Sequence, residues 1–146
     1  MKNVKITIEK LNILEDISLL TGYLAVKRAA DAEGFNRVAT AEEDETLLTR
    51  FFADACNEII SRLKEFISET NFNGDILELT LQLPEGYDEN LTPSLKSRLQ
   101  QSVLNRMLSL WYEITSPANS ETYIRLFNEH ITQSVSIIHH RRRPFR

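Results

Sequence analysis

Cysteine is all but missing from this chain: Cys56 is the single one in 146 residues. An internal disulfide is therefore excluded. The thiol lies on an apolar stripe with Phe52 and Ile60, where a buried inert group is expected rather than a nucleophile. Glycine is scarce as well, and Gly22, Gly34, Gly74 and Gly86 stand isolated. Neither a dinucleotide fingerprint nor a phosphate-cradling P-loop can be built from them. Long apolar runs are also lacking, since nothing approaches the roughly 20 residues of a membrane-spanning helix. The opening MKNVKITIEK has no apolar core of the signal-peptide kind. The expectation is a cytoplasmic chain with no membrane contact. No serine sits in a nucleophile-elbow pattern, and no His-Glu-x-x-His helix is present. The histidines are His130, His139 and His140. Only the last two are adjacent, and neighbouring helix positions point about 100° apart, so a shared metal is not expected. The reading is a non-enzyme without catalytic residues, cofactor or metal.

What is present is the composition of a soluble globular domain, 42% hydrophobic and 26% charged. The length suits a single domain over residues 1–140, followed by a basic tail at 141–146. The net charge of −4 hides an asymmetry. Residues 1–90 carry nine Lys plus Arg against eighteen Asp plus Glu, a net of −9, and residues 91–146 carry eight against three, a net of +5. Such a division fits a protein that touches more than one kind of surface or meets its own copies head to tail, and it fits a monomer with two solvated faces equally well.

The chain is organised around residues 40–68. Leu48, Phe52, Ala55, Ile59, Leu63 and Phe66 recur three or four apart, with Leu47, Phe51, Cys56, Ile60 and Ile67 widening the stripe, which predicts one long amphipathic helix. Thr40 and Glu43 form a capping box, and Glu42, Asp44 and Glu45 suit the positive end of the dipole. At 1.5 Å per residue the rod would be about 40 Å long. Upstream, Val4, Ile6 and Ile8 alternate with polar residues, as in a strand. Ile8, Leu11, Leu14, Ile17 and Leu20 fit equally well a helix beginning near Thr7. A helical pattern runs from Glu15 to Ala32 despite Gly22, and Gly34 ends it.

After a breaker at Asn71 to Gly74 the period changes to two. Leu77, Leu79, Leu81 and Leu83 face one way and Glu78, Thr80 and Gln82 the other, as in a half-exposed strand. A lone strand needs a partner, from the N-terminal segment, a returning strand or a neighbouring subunit. Thr92 and Pro93 then start a second helix with a ridge at Leu95, Leu99, Val103, Met107, Leu110 and Ile114. SPANS reads as a turn with Ser120 as the next cap. A last helix carries Ile124, Phe127, Ile131, Val135 and Ile138 on one face.

The end, HHRRRPFR, is the most distinctive local chemistry. Arg141, Arg142, Arg143 and Arg146 have three readings: salt-dependent contact with nucleic-acid phosphates, an arm held in an acidic groove of another subunit, or a solvated helix end. The second is preferred.

The order of an acidic-capped helix (TAEEDETLLTRFFADACNEIISRLKEF), a Leu-alternating strand, the segment LPEGYDENLTPSLKSRLQQSVLNRMLSLWYEIT, a final helix and an RRRP tail resembles small head–tail connector proteins of tailed phages and prophages, particularly of Bacteroidetes hosts. The likeness covers most of residues 10–144. It implies a mostly helical structural subunit that assembles as a ring between portal and tail, around the path of DNA. It implies location in the neck of the virion, and in the host cytoplasm during assembly.

Taken together, the expected fold is mainly α: a bundle of three to four helices with a small β element at residues 75–83 and a second one at 3–9 left open. The expected partner-binding residues are Leu77, Leu79, Leu81, Leu83, Arg141, Arg142, Arg143 and Arg146, toward other copies, the portal, tail proteins or DNA. The competing reading is a nucleic-acid-binding or regulatory helical protein that uses the same arginines.

Overall fold

The alternation of Val4, Ile6 and Ile8 resolves as a strand in the computed structural model, which describes residues 2–27 and 44–141. Strand β1 spans Lys2–Glu9, and helix α1, Lys10–Lys27, follows without a loop. Lys10 fixes that switch. Its N–H donates to the Asp75 carbonyl at 2.8 Å, and its ammonium meets Asp75 Oδ1 at 2.7 Å. The inward face of α1 is Ile13, Ile17 and Thr21, each four residues from the next and buried. Leu11 and Leu20, which share the three-residue spacing, are exposed.

Helix α2, Glu45–Arg62, buries Leu48, Phe51, Phe52, Ala55, Cys56 and Ile59. The sequence expectation of a helix over residues 40–68 is corrected at its C-terminal end, while residues 40–43, with the expected cap Thr40, lie outside the described residues. Leu63, at φ −105° and ψ 12°, leaves the helix, and a tight turn at Lys64–Phe66 tucks the Phe66 ring inward, 5.6 Å edge-on from that of His139. From Ile67 the backbone is strand. The apolar stripe runs on through Phe66 and Ile67, so local pattern favoured more helix, but pairing with β3 satisfies the same backbone groups in extended form.

Strands β2 (Ile67–Phe72) and β3 (Ile76–Leu83) form a hairpin. Its turn is held by Asn73 Oδ1, which accepts the N–H groups of Asp75 and Ile76, both at 2.9 Å. Gly74 takes φ 94°, where a side chain would be strained. The sheet is antiparallel with order β1-β3-β2, so β3 is central. Val4 opposes Leu81, Ile6 opposes Leu79 and Ile8 opposes Leu77, which puts all six side chains on one buried face. Phe52 of α2 meets Phe72 of β2 at 5.9 Å between ring centres. The sheet thus lies on the helices with one face and meets solvent with the other.

Helices α3 (Thr92–Thr115) and α4 (Pro117–His139) complete the fold. Thr92 is not a cap; it begins α3, and its hydroxyl hydrogen-bonds the Tyr87 hydroxyl at 3.0 Å. SPANS is not a turn either. Ser116 alone, at φ −157°, separates the two helices, because Pro117 loses nothing in a first turn whose N–H groups have no helical partner. Ser120 lies inside α4, its hydroxyl donating to the Pro117 carbonyl at 3.0 Å. The two helices run antiparallel, with Tyr112 stacked on Tyr123 at 5.0 Å and Arg98 opposite His130. The fold is mainly α, with four helices among the described residues and a small three-stranded antiparallel sheet.

Candidate functional site

Leu77, Leu79, Leu81 and Leu83 are fully buried. This corrects the reading of them as residues that touch a neighbouring subunit. Both partners that β3 needs come from its own chain, so its leucines form the floor of the core. The outer edges of the sheet belong to β1 and β2, and both are blunted in ways that oppose edge-to-edge pairing. Exposed Lys5 lies on β1, and β2 is irregular between Ile67 and Glu69.

The basic end begins at a fixed point. Arg141 forms an isolated antiparallel bridge with Tyr87, and its Nη1 donates to the Ile138 carbonyl at 3.2 Å. Its side chain lies across Gly86, where an added Cβ would stand 2.6 Å from Arg141 Cδ. Tyr87 is buried, and burial pushes its hydroxyl pKa up. The Tyr87 carbonyl accepts from Lys2 Nζ at 3.1 Å, and Lys2 also lies 3.9 Å from Glu89. The start of β1, the loop before α3 and the end of α4 therefore meet at one corner. Arg142, Arg143 and Arg146 lie outside the described residues.

Cys56 is fully buried, and burial raises its pKa to about 12, so the thiol stays protonated at neutral pH. His139 and His140 are exposed. Among the described residues no group of three or more His, Cys, Asp or Glu could hold a metal ion. Nor is any helix among them long and apolar enough to cross a membrane.

Two features escaped sequence reasoning. The first is exposed apolar surface: Leu11 is 70% exposed, Leu19 73%, Leu20 41% and Ile114 62%. Three of these fitted apolar ridges, and only packing shows which side of each ridge faces in. The second is an open groove of about 660 Å³ between α3 and α4, lined by Leu91, Ser94, Ser97, Arg98 and Gln101 with His130 and Ile137. Arg98 Nη1 lies 3.3 Å from His130 Nδ1. Arginine only donates, so Nδ1 carries the lone pair and the ring is neutral. Burial, and after it the charge of Arg98, hold the His130 pKa below its usual value, against an opposing pull from Glu129. The spacing of Ser94, Arg98 and Gln101 at i, i+4 and i+7 was visible, but nothing in it announced an opposing histidine. In comparisons with known proteins, no family model, curated protein or solved structure matches this chain.

Proposed function

We propose that this chain is a structural subunit of a phage neck, a head–tail connector that assembles as a ring between portal and tail. The observation that carries the reading is the pair Leu11 and Leu19, two turns apart on α1 and both more than two-thirds exposed. Large apolar side chains held outward on a helix are surface that an assembly would cover. The resemblance of YDENLTPSL and LWYEIT to connector sequences points the same way. In this reading the α3–α4 hairpin is the rigid body, and the arginine tail leaves from the Tyr87–Arg141 corner toward a neighbouring copy, the portal or DNA.

Native mass spectrometry of the purified chain, alone and with a candidate portal, tests this. A closed ring or a portal complex is expected. A strict monomer that ignores the portal overturns the proposal. The second reading, a nucleic-acid-binding or regulatory protein, draws on Arg141, which has no carboxylate within ion-pair distance among the described residues. Filter binding whose affinity falls steeply with salt, from a chain that stays monomeric, would favour it.

A further inference from the structure

Arg98 shares with Arg62 and Arg141 the lack of a carboxylate partner among the described residues, and it differs from Arg62 in lining a groove without an acid. Lys2, Lys5, Lys10 and Arg106 each lie within 4 Å of a carboxylate, whereas Arg98 has none so close among the described residues. Its one side-chain partner is a neutral imidazole. The groove around it also contains no acid. The adjacent Glu129 lines a different groove, with Glu121 and Arg125. A half-buried guanidinium without a counter-ion leaves most of its five N–H donors available.

The residues beside it carry no charge: Ser94, Ser97, Gln101 and His130 are able to donate, and Leu91 and Ile137 supply the apolar part of the lining. Ser94, Arg98 and Gln101 share one face of α3, and Ser97 is next to them. The side chains of Ser94, Ser97 and Gln101 make no hydrogen bond among the described residues. Since Nδ1 of His130 accepts from Arg98, its Nε2 carries the ring proton and is a donor as well. One positive charge with several neutral donors suits an anion with more than two acceptor oxygens. A tetrahedral oxyanion offers these, and a carboxylate offers only two.

We infer that the α3–α4 groove binds a phosphate group, with Arg98 as the charged anchor and Ser94, Ser97, Gln101 and His130 as hydrogen-bond donors around it. The phosphate is either a free inorganic ion or one unit of a nucleic-acid backbone. The inference does not rest on the connector reading, because a monomer can bind at this groove as well as a ring subunit.

The test follows the His130 ring resonances of the full chain by NMR during titration with inorganic phosphate, with sodium chloride at matched ionic strength as the reference. A saturable shift with phosphate and none with chloride is expected. Arg98→Gln should weaken the apparent affinity about tenfold or more, the usual worth of a charge-assisted contact. Arg125→Gln, in the other groove, should leave it unchanged. Ser97→Glu changes an exposed position without disturbing the core, and it should abolish the shift by placing a negative charge in the groove. A short DNA duplex distinguishes the sources. Saturation at a lower phosphate concentration than the inorganic ion assigns a nucleic-acid backbone, and equal concentrations assign the small anion. The inference is overturned if no saturable shift occurs, if the shift survives both Arg98→Gln and Ser97→Glu, or if polyglutamate at equal charge produces it as well.

Discussion

Gly86 and Arg141 touch so closely that a methyl group on the glycine would overlap the arginine side chain, at 2.6 Å from its Cδ. The contact joins the loop after β3 to the last described residue of the chain. It places the start of the basic tail against the body of the fold.

Gly86→Ala tests how firmly that start is held. The clashing atom belongs to a flexible, exposed side chain, so Arg141 can swing away, and the stability cost should stay within about 1 kcal/mol. The swing removes the bond from Arg141 Nη1 to the Ile138 carbonyl. Faster amide exchange at residues 138–141, with an unchanged melting profile elsewhere, is the expected outcome. Deleting residues 141–146 should likewise leave the monomer folded while impairing assembly, as followed by native mass spectrometry. Loss of the folded monomer after that deletion would show that the tail is part of the core.

Leu79→Ala and Leu19→Asn should separate core from surface. Leu79 is fully buried in the central strand, and its truncation should cost about 2–5 kcal/mol in urea unfolding. Leu19 is 73% exposed, so its replacement should change stability by roughly 0.5 kcal/mol or less. If α1 presents an assembly surface, Leu19→Asn should nevertheless reduce the oligomer population. Equal stability losses in the two variants would contradict the placement of α1.

Cys56 should impose a pH dependence at alkaline pH. Its folded pKa, about 12, is raised above the ordinary thiol value of 9.0, so the stabilisation is complete below 9.0 and is lost as pH rises toward 12. The unfolded chain releases the thiol proton first, which gives a slope of up to about 1.4 kcal/mol per pH unit in that window. Burial of Tyr87 adds a loss of the same sign. Comparison with Cys56→Ala isolates the thiol, and the difference between the two proteins should narrow as pH rises. In the folded protein at pH 8, a thiol reagent should label Cys56 only as fast as the core opens.

Arg106 and Glu58 couple α3 to α2, with Nε donating to Oε2 at 2.6 Å. Both groups are partly exposed, so a double-mutant cycle with Arg106→Met and Glu58→Gln should return a coupling of about 1 kcal/mol. High salt should reduce it. A coupling that is absent at low salt would show that the pair contributes nothing measurable.

Much of the architecture was legible because it is local. The three-and-four spacing through Ile59 is a helix on any account, the alternation of Leu77 to Leu83 is a strand, and Pro93 marks a helix start. Strand β2 was not legible. ISETNF has apolar residues only at its ends, and its extended form depends on β3, which lies on the far side of the turn. The junction at Ser116 misled for a different reason: Pro117, Asn119 and Ser120 suit a turn and a first helical turn alike.

The candidate sites divided along the same line. The arginine run could be read directly from composition, but the anchoring of Arg141 to Gly86 and Tyr87 could not. The groove at Arg98 could not be read either, because it needs a histidine 32 residues away.

By itself, the sequence determined the helical and strand periods and the segregation of charge, since these follow from residue order along one segment. Only the tertiary structure decided which leucines are core, where the second strand forms and that Arg98 faces His130 in a groove without an acid. Those outcomes depend on backbone pairing and burial between segments distant in the chain, and no local pattern encodes them.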